Sequence, residues 1–143
     1  DAEGQKLGGV LGGLVDQIEA SCAEAETEAA AQGPAIRERF ERRLSELLGD
    51  AAPIDRVVQE AAVMATKADV REELDRLASH VAAARTLMAD EAAAGRRLDF
   101  LTQEFMREAN TLCSKSATTG LTRVGLALKA TIDQFREQVQ NVE

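Results

Sequence analysis

Apolar residues recur along this chain at three- and four-residue intervals, the period of a helix face rather than of a strand. From Glu3 to about Gln32 the pattern predicts a long helix rich in Ala and Glu, with Gly4, Gly8, Gly9, Gly12 and Gly13 in its first turns. Each interior glycine costs a helix about 1 kcal/mol relative to alanine, so fraying or a local deviation is expected there, unless the small residues serve close helix approach. Gly33-Pro34 predicts a break, and Ile36, Phe40, Leu44 and Leu47 form the stripe of a short helix over 35–48. Gly49 ends that helix and Pro53 opens the next, which carries Val57, Val58, Ala61 and Met64 up to about Lys67. Asp69 and Glu72 have the spacing of a cap, marking either a new start or a kink. Leu74, Leu77, Val81, Ala84 and Met88 continue as a stripe that Gly95 is expected to close. Another helix spans about 98–115, with Gly120 in the turn after it. In the last helix Leu121, Val124, Leu128, Ile132, Phe135, Val139 and Val142 make a near-heptad seam that needs a partner helix. A coiled coil, an antiparallel hairpin and a bundle all use that spacing. The expected fold is all-α: an antiparallel bundle or set of hairpins with long helices, inclined to oligomerise.

Composition narrows the function. Lys and Arg number 17 against 25 Asp and Glu, a net charge of −8. Such a chain does not coat nucleic acid nonspecifically, although a local basic patch on an acidic body remains open. Four Phe, no Tyr and no Trp leave no obvious platform of stacking aromatics. No apolar stretch approaches the roughly 20 residues of a membrane span, and no cationic segment precedes an apolar one, so no signal peptide is expected. Cys22 and Cys113 fall in no metal or redox motif and read as reduced thiols. P-loop, dinucleotide, HExxH and nucleophile-elbow patterns are absent from the sequence.

The candidate chemistry lies between Gly95 and Lys115. On a helix this segment sorts into three stripes. Leu98, Leu101, Phe105, Ala109 and Leu112 form a buried face. Asp99, Gln103, Met106 and Asn110, with Arg107 at the edge, form a second, and Glu104, Glu108, Thr111 and Lys115 a third. The polar stripes hold side chains of directional hydrogen-bonding shape where an ordinary surface helix carries interchangeable Glu and Lys. Glu104 and Glu108, four apart, suit a shared divalent cation, though a solvated acidic face has the same spacing. Arg96, Arg97 and Arg107 suit a phosphate, though salt bridges to Glu91 or Asp90 are the more ordinary use of such residues. His80, the only histidine, lies beside an apolar stripe with Glu73 and Arg76 as helical neighbours; it fits an acid, a base or a structural role.

The region from Gln59 to Glu143 resembles the C-terminal domain of the YicC family. The resemblance rests on Gln59-Glu60, on Asp69-Val70 with Glu72-Glu73-Leu74-x-Arg76-Leu77-x-Ser79-His80, and on Gly95-Arg96-Arg97-Leu98-Asp99-Phe100-Leu101-x-Gln103-Glu104. Arg107-Glu108-Ala109-Asn110-Thr111, Ser114-Lys115 and the run Arg136-Glu137-Gln138-Val139-Gln140-Asn141-Val142-Glu143 complete it. The segment before Gln59 is similar more loosely, which divides the chain into a central region over 1–52 and the C-terminal domain over 53–143. Two departures stand out: Met106 replaces the family's Asn, and Pro53-Ile54-Asp55-Arg56 retains a single acid of an acidic pair.

The resemblance implies a cytoplasmic bacterial endoribonuclease that cuts RNA with Mn²⁺ or Mg²⁺, assembles as a homo-oligomer (a hexameric ring) and has a further N-terminal half. RNA, not DNA or a membrane, is the expected partner. Under that reading Glu73, Asp99, Glu104 and Glu108 are the candidate metal carboxylates, and His80, Glu104, Arg107 and Glu108 the catalytic groups. Arg96, Arg97, Gln103, Asn110 and Lys115 are the candidate RNA contacts. The alternatives are a non-enzymatic helical module for oligomerisation or partner binding, and an RNA-binding adaptor.

Overall fold

A computed structural model of the chain describes residues 2–49, 54–90 and 94–142. Among them are six helices and no strand: α1 (Ala2–Ala29), α2 (Gln32–Leu48), α3 (Ile54–Lys67), α4 (Arg71–Ala89), α5 (Ala94–Lys115) and α6 (Thr119–Val142). The all-α expectation holds. Pro53, Glu91 and the boundary expected at 52/53 lie outside the described residues.

Helices α1, α4, α5 and α6 close into a four-helix body, with α1 against α4 and α6 and with α5 against α4 and α6. Cross-helix contacts give the directions. Glu73 meets Lys115 and Arg76 meets Glu108, so residues that ascend α4 pair with residues that descend α5. The two helices are antiparallel. All five apolar residues of the expected buried face of α5 are in the core, Phe105, Ala109 and Leu112 without any exposure. The seam of α6 is buried from Leu121 to Val139 against α1 and α5, so its partners lie within the chain. Each such Leu, Ile or Phe contributes about 1.5–3 kcal/mol by leaving water.

Four local readings are revised. The glycine-rich start is continuous α-helix from Ala2, and Gly12 lies where a Cβ would stand 3.8 Å from Met88 of α4. The first break falls at Ala30–Ala31, and Gln32-Gly33-Pro34 forms the first turn of α2, where proline's missing N–H is not needed. Gly95 does not close α4. That helix ends at Ala89 because Asp90 takes an extended conformation, and Gly95 belongs to the first turn of α5. Gly120 likewise opens α6 rather than sitting in a turn before it. Gly49 does terminate α2, with φ of 58°, the only positive value among the described residues. Asp69 marks a true start: its Oδ1 accepts the Arg71 N–H at 3.0 Å between α3 and α4.

Gln32 ties three bends together at one end of the body. Its buried amide donates to the carbonyls of Ala68, at 3.2 Å, and Lys115, at 2.8 Å, and accepts the Ala117 N–H at 2.5 Å. From that knot α2 and α3 leave the body and pack chiefly on each other. Leu47, Leu48, Val58, Val63 and Met64 of this hairpin are exposed. Among the described residues no helix is long and apolar enough to cross a membrane.

Candidate active site

The seam between α4 and α5 collects most of the candidate polar residues. Helix α4 presents Glu73, Arg76 and His80 at three- and four-residue steps, the flank of its buried stripe of Leu74, Leu77 and Val81. Helix α5 meets them with Lys115, Glu108 and Glu104 in the reverse order, the third stripe expected from the sequence. Because the flank of each amphipathic helix borders its core face, these side chains are drawn into partial or full burial, except Arg76, whose side chain stays 47% exposed.

Two linked carboxylates anchor the lower part. Glu73 is 1% exposed, and its Oε1 accepts from Lys115 Nζ at 2.6 Å with an Arg76 guanidinium nitrogen at 3.8 Å. Its Oε2 meets no hydrogen-bond partner among the described residues. Lys115 also donates to the Asp69 carbonyl at 3.3 Å, so this cation is committed inside the fold. Glu108 is 4% exposed and accepts from Arg76 Nε at 2.7 Å, while Glu72 lies 3.6 Å from the same guanidinium. The Glu108 hydrogen bond raises the Arg76 pKa above its ordinary value, so the guanidinium stays charged.

One turn further on, His80, Glu104 and Glu108 converge. One ligand atom from each lies within 4.8 Å of the others. The His80 ring stands edge-on to Phe105 with centroids 5.8 Å apart, and Phe105 is held in turn by Phe135 at 6.1 Å. Nε2 of His80 is buried without a hydrogen-bond partner among the described residues. Buried imidazole nitrogens are ordinarily paired, and this one has no use among the described residues. One imidazole and two carboxylates at this separation form a donor set suited to Mn²⁺, Mg²⁺ or Zn²⁺.

The remaining candidates are distributed elsewhere. Glu73 sits with Lys115 and Arg76 below the cluster, and Asp99 is half-buried outside it. Arg96 and Arg97 are exposed near the start of α5. Gln103, Arg107 and Asn110 are exposed on the other flank of α5 and line an open groove of ≈ 500 Å³ toward α6, with Met106, Ile132 and Arg136. Arg107 makes no ion pair among the described residues, whereas Arg136 is bonded to Asp133 at 2.7 Å. Sequence reasoning passed over Arg76 as a site residue. Its signal was the Glu72, Glu73 and Arg76 spacing, but its strongest partner is 32 positions away.

The sequence matches the family described as "Endoribonuclease YicC-like, C-terminal" over residues 25–143. The chain belongs to the YicC-like family. Relatives called "Probable endoribonuclease YicC" are 38% identical over 141 residues in Haemophilus influenzae and 35% identical over 143 residues in Clostridioides difficile. Each alignment covers 99% of this chain and 49% of the relative. The chain thus spans about half the length of these YicC relatives, and the matched half contains the whole α4/α5 seam.

Proposed function

We propose that this chain carries the catalytic centre of a divalent-metal-dependent endoribonuclease of the YicC type, with His80, Glu104 and Glu108 holding the cation. The observation that carries the reading is the convergence of these three donors around a buried, unpartnered imidazole nitrogen. A cation bound there supplies charge neutralisation at a phosphodiester and lowers the pKa of water. Glu73 and Asp99, outside the triad, take no direct part in holding it.

The other residues have distinct roles in this reading. Arg76 fixes the Glu108 carboxylate by the 2.7 Å bond and balances its charge. Phe105 orients the His80 ring, whose nitrogen serves as a ligand to the cation. Lys115, bonded to Glu73, holds the ends of α4 and α5 in register rather than tracking an RNA backbone. Arg97 and Arg107, exposed and without ion pairs among the described residues, are the groups free to receive phosphates.

Oligomeric assembly belongs to the same proposal. The exposed apolar residues of the α2–α3 hairpin are the surface a homo-oligomer would cover. They also favour the second reading, a helical interaction module without catalysis. Cleavage of a labelled RNA by the full-length protein separates the two. The nuclease reading expects cutting with Mn²⁺ or Mg²⁺, none with chelator, and none from Glu104→Gln or His80→Ala. A folded, pure wild-type protein that leaves several RNAs intact with either metal would sink it. RNA binding that survives chelation without any cutting would favour an adaptor.

A further inference from the structure

The outward face of α5 carries an aromatic side chain that packing does not explain. Of the four Phe residues, Phe105 and Phe135 are in the core, while Phe100 is 63% exposed. Its neighbours on the helix face are Arg96, Gln103, Arg107 and Asn110, and at 3.6 residues per turn all five fall within an arc of about 80°. All five are exposed, and the last three make no side-chain hydrogen bond or ion pair among the described residues. From Phe100 to Asn110 this ridge runs about 15 Å along the helix. On one side of it lies the His80, Glu104 and Glu108 cluster; on the other is the α5/α6 groove, floored by Thr102, Met106 and Ile132.

We propose that this ridge and its groove bind unpaired RNA beside the cleavage site, with Phe100 stacking one base and the Gln103 and Asn110 amides holding the edge of another. The inference rests on the reading that RNA is the substrate. An isolated aromatic ring among cations and amides matches a single-stranded nucleotide segment: the ring takes a base face, the amides offer donor and acceptor together to a base edge, and Arg107 takes a phosphate. Opposing negative charge is limited. Asp133, beside the groove-lining Ile132, is paired with Arg136 at 2.7 Å, and Glu104 faces the proposed cation, which among the described residues leaves the half-buried Asp99 as the one carboxylate at the groove edge of the ridge. A second protein copy fits less well, because a stable interface buries about 1,200–2,000 Å² and this ridge offers one apolar side chain in a polar rim. The larger exposed apolar surface is on α2 and α3.

The experiment uses the full-length protein with chelator present, so that binding is read without cutting. Short labelled single-stranded RNAs of each base, and a duplex of equal length, are titrated by fluorescence anisotropy. Phe100→Ala and Phe100→Leu are expected to weaken single-strand binding about tenfold, and Phe100→Tyr to restore it. Gln103→Ala and Asn110→Ala are expected to flatten the differences among bases. Wild-type affinity in Phe100→Leu overturns the proposal, as does a Phe100→Ala protein that dissociates into smaller oligomers by sedimentation, because the ridge is then a protein interface. A cleavage assay with Mn²⁺ separates this proposal from the one beneath it. Cutting by wild type with ridge variants that bind normally removes the ridge and leaves the nuclease; ring-dependent binding without cutting does the reverse.

Discussion

Gln32 offers a severe test of how the fold holds its site. Replacing it with Leu keeps the volume and removes three long-range hydrogen bonds, to Ala68 O, Lys115 O and Ala117 N. A typical bond contributes about 1 kcal/mol net, and a group left buried without a partner costs about 1–3 kcal/mol. The three backbone partners are half-buried, so water reaches them in part and the lower end applies. The expected loss is about 3 kcal/mol, or roughly 10 °C in the melting temperature for a domain of this size. Gln32→Glu should be no better: it keeps an acceptor for Ala117 but sets a carboxylate against two carbonyl oxygens. Urea denaturation followed by circular dichroism measures both. A Gln32→Leu protein within about 0.5 kcal/mol of wild type, the range of an ordinary surface substitution, would refute the idea that this one side chain ties the three bends together.

Two further outcomes follow from single positions. At Gly125, where a Cβ would stand 2.6 Å from Cys113 Sγ and 3.2 Å from a Leu112 methyl, Gly125→Ala should destabilise the α5/α6 contact by about 1–3 kcal/mol in the same denaturation assay. The thiol of Cys22 is pushed up to about 11 by burial first and then by Glu19 and Glu26. Since the thiolate is the reactive form, about one molecule in a thousand is ionised at pH 8, so iodoacetamide labelling of Cys22 should be slow there and should accelerate toward pH 11. Rapid labelling at pH 8 with the fold intact would contradict that environment.

The helices were legible because each one carries apolar residues at the period of a helix face, and in α1, α4, α5 and α6 that stripe is the core, as in Leu74, Leu77 and Val81. Stops were harder to read. Gly95 looks like a C-cap, yet glycine is also tolerated in a first turn, and the break was made by the backbone of Asp90 instead. Within the candidate site, the Glu104 and Glu108 pair follows from helix spacing alone. That His80 joins them does not, because it requires the antiparallel register of α4 and α5. The same register turns Lys115 from a free surface cation into the partner of Glu73 and gives Arg76 to Glu108. Gln32 was invisible for a related reason: its partners are backbone groups at two other bends, and backbone groups leave no mark in a sequence. Phe100 and Phe105 carry the same letter, and helix facing alone distinguishes the exposed ring from the buried one.

Whether His80, Glu104 and Glu108 hold a divalent cation is read from calorimetric titration of Mn²⁺ into the full-length protein. Binding should be saturable and should weaken at least about tenfold in both Glu104→Gln and His80→Ala, with circular dichroism unchanged. Mn²⁺ binding of equal affinity in wild type and both variants would contradict that assignment.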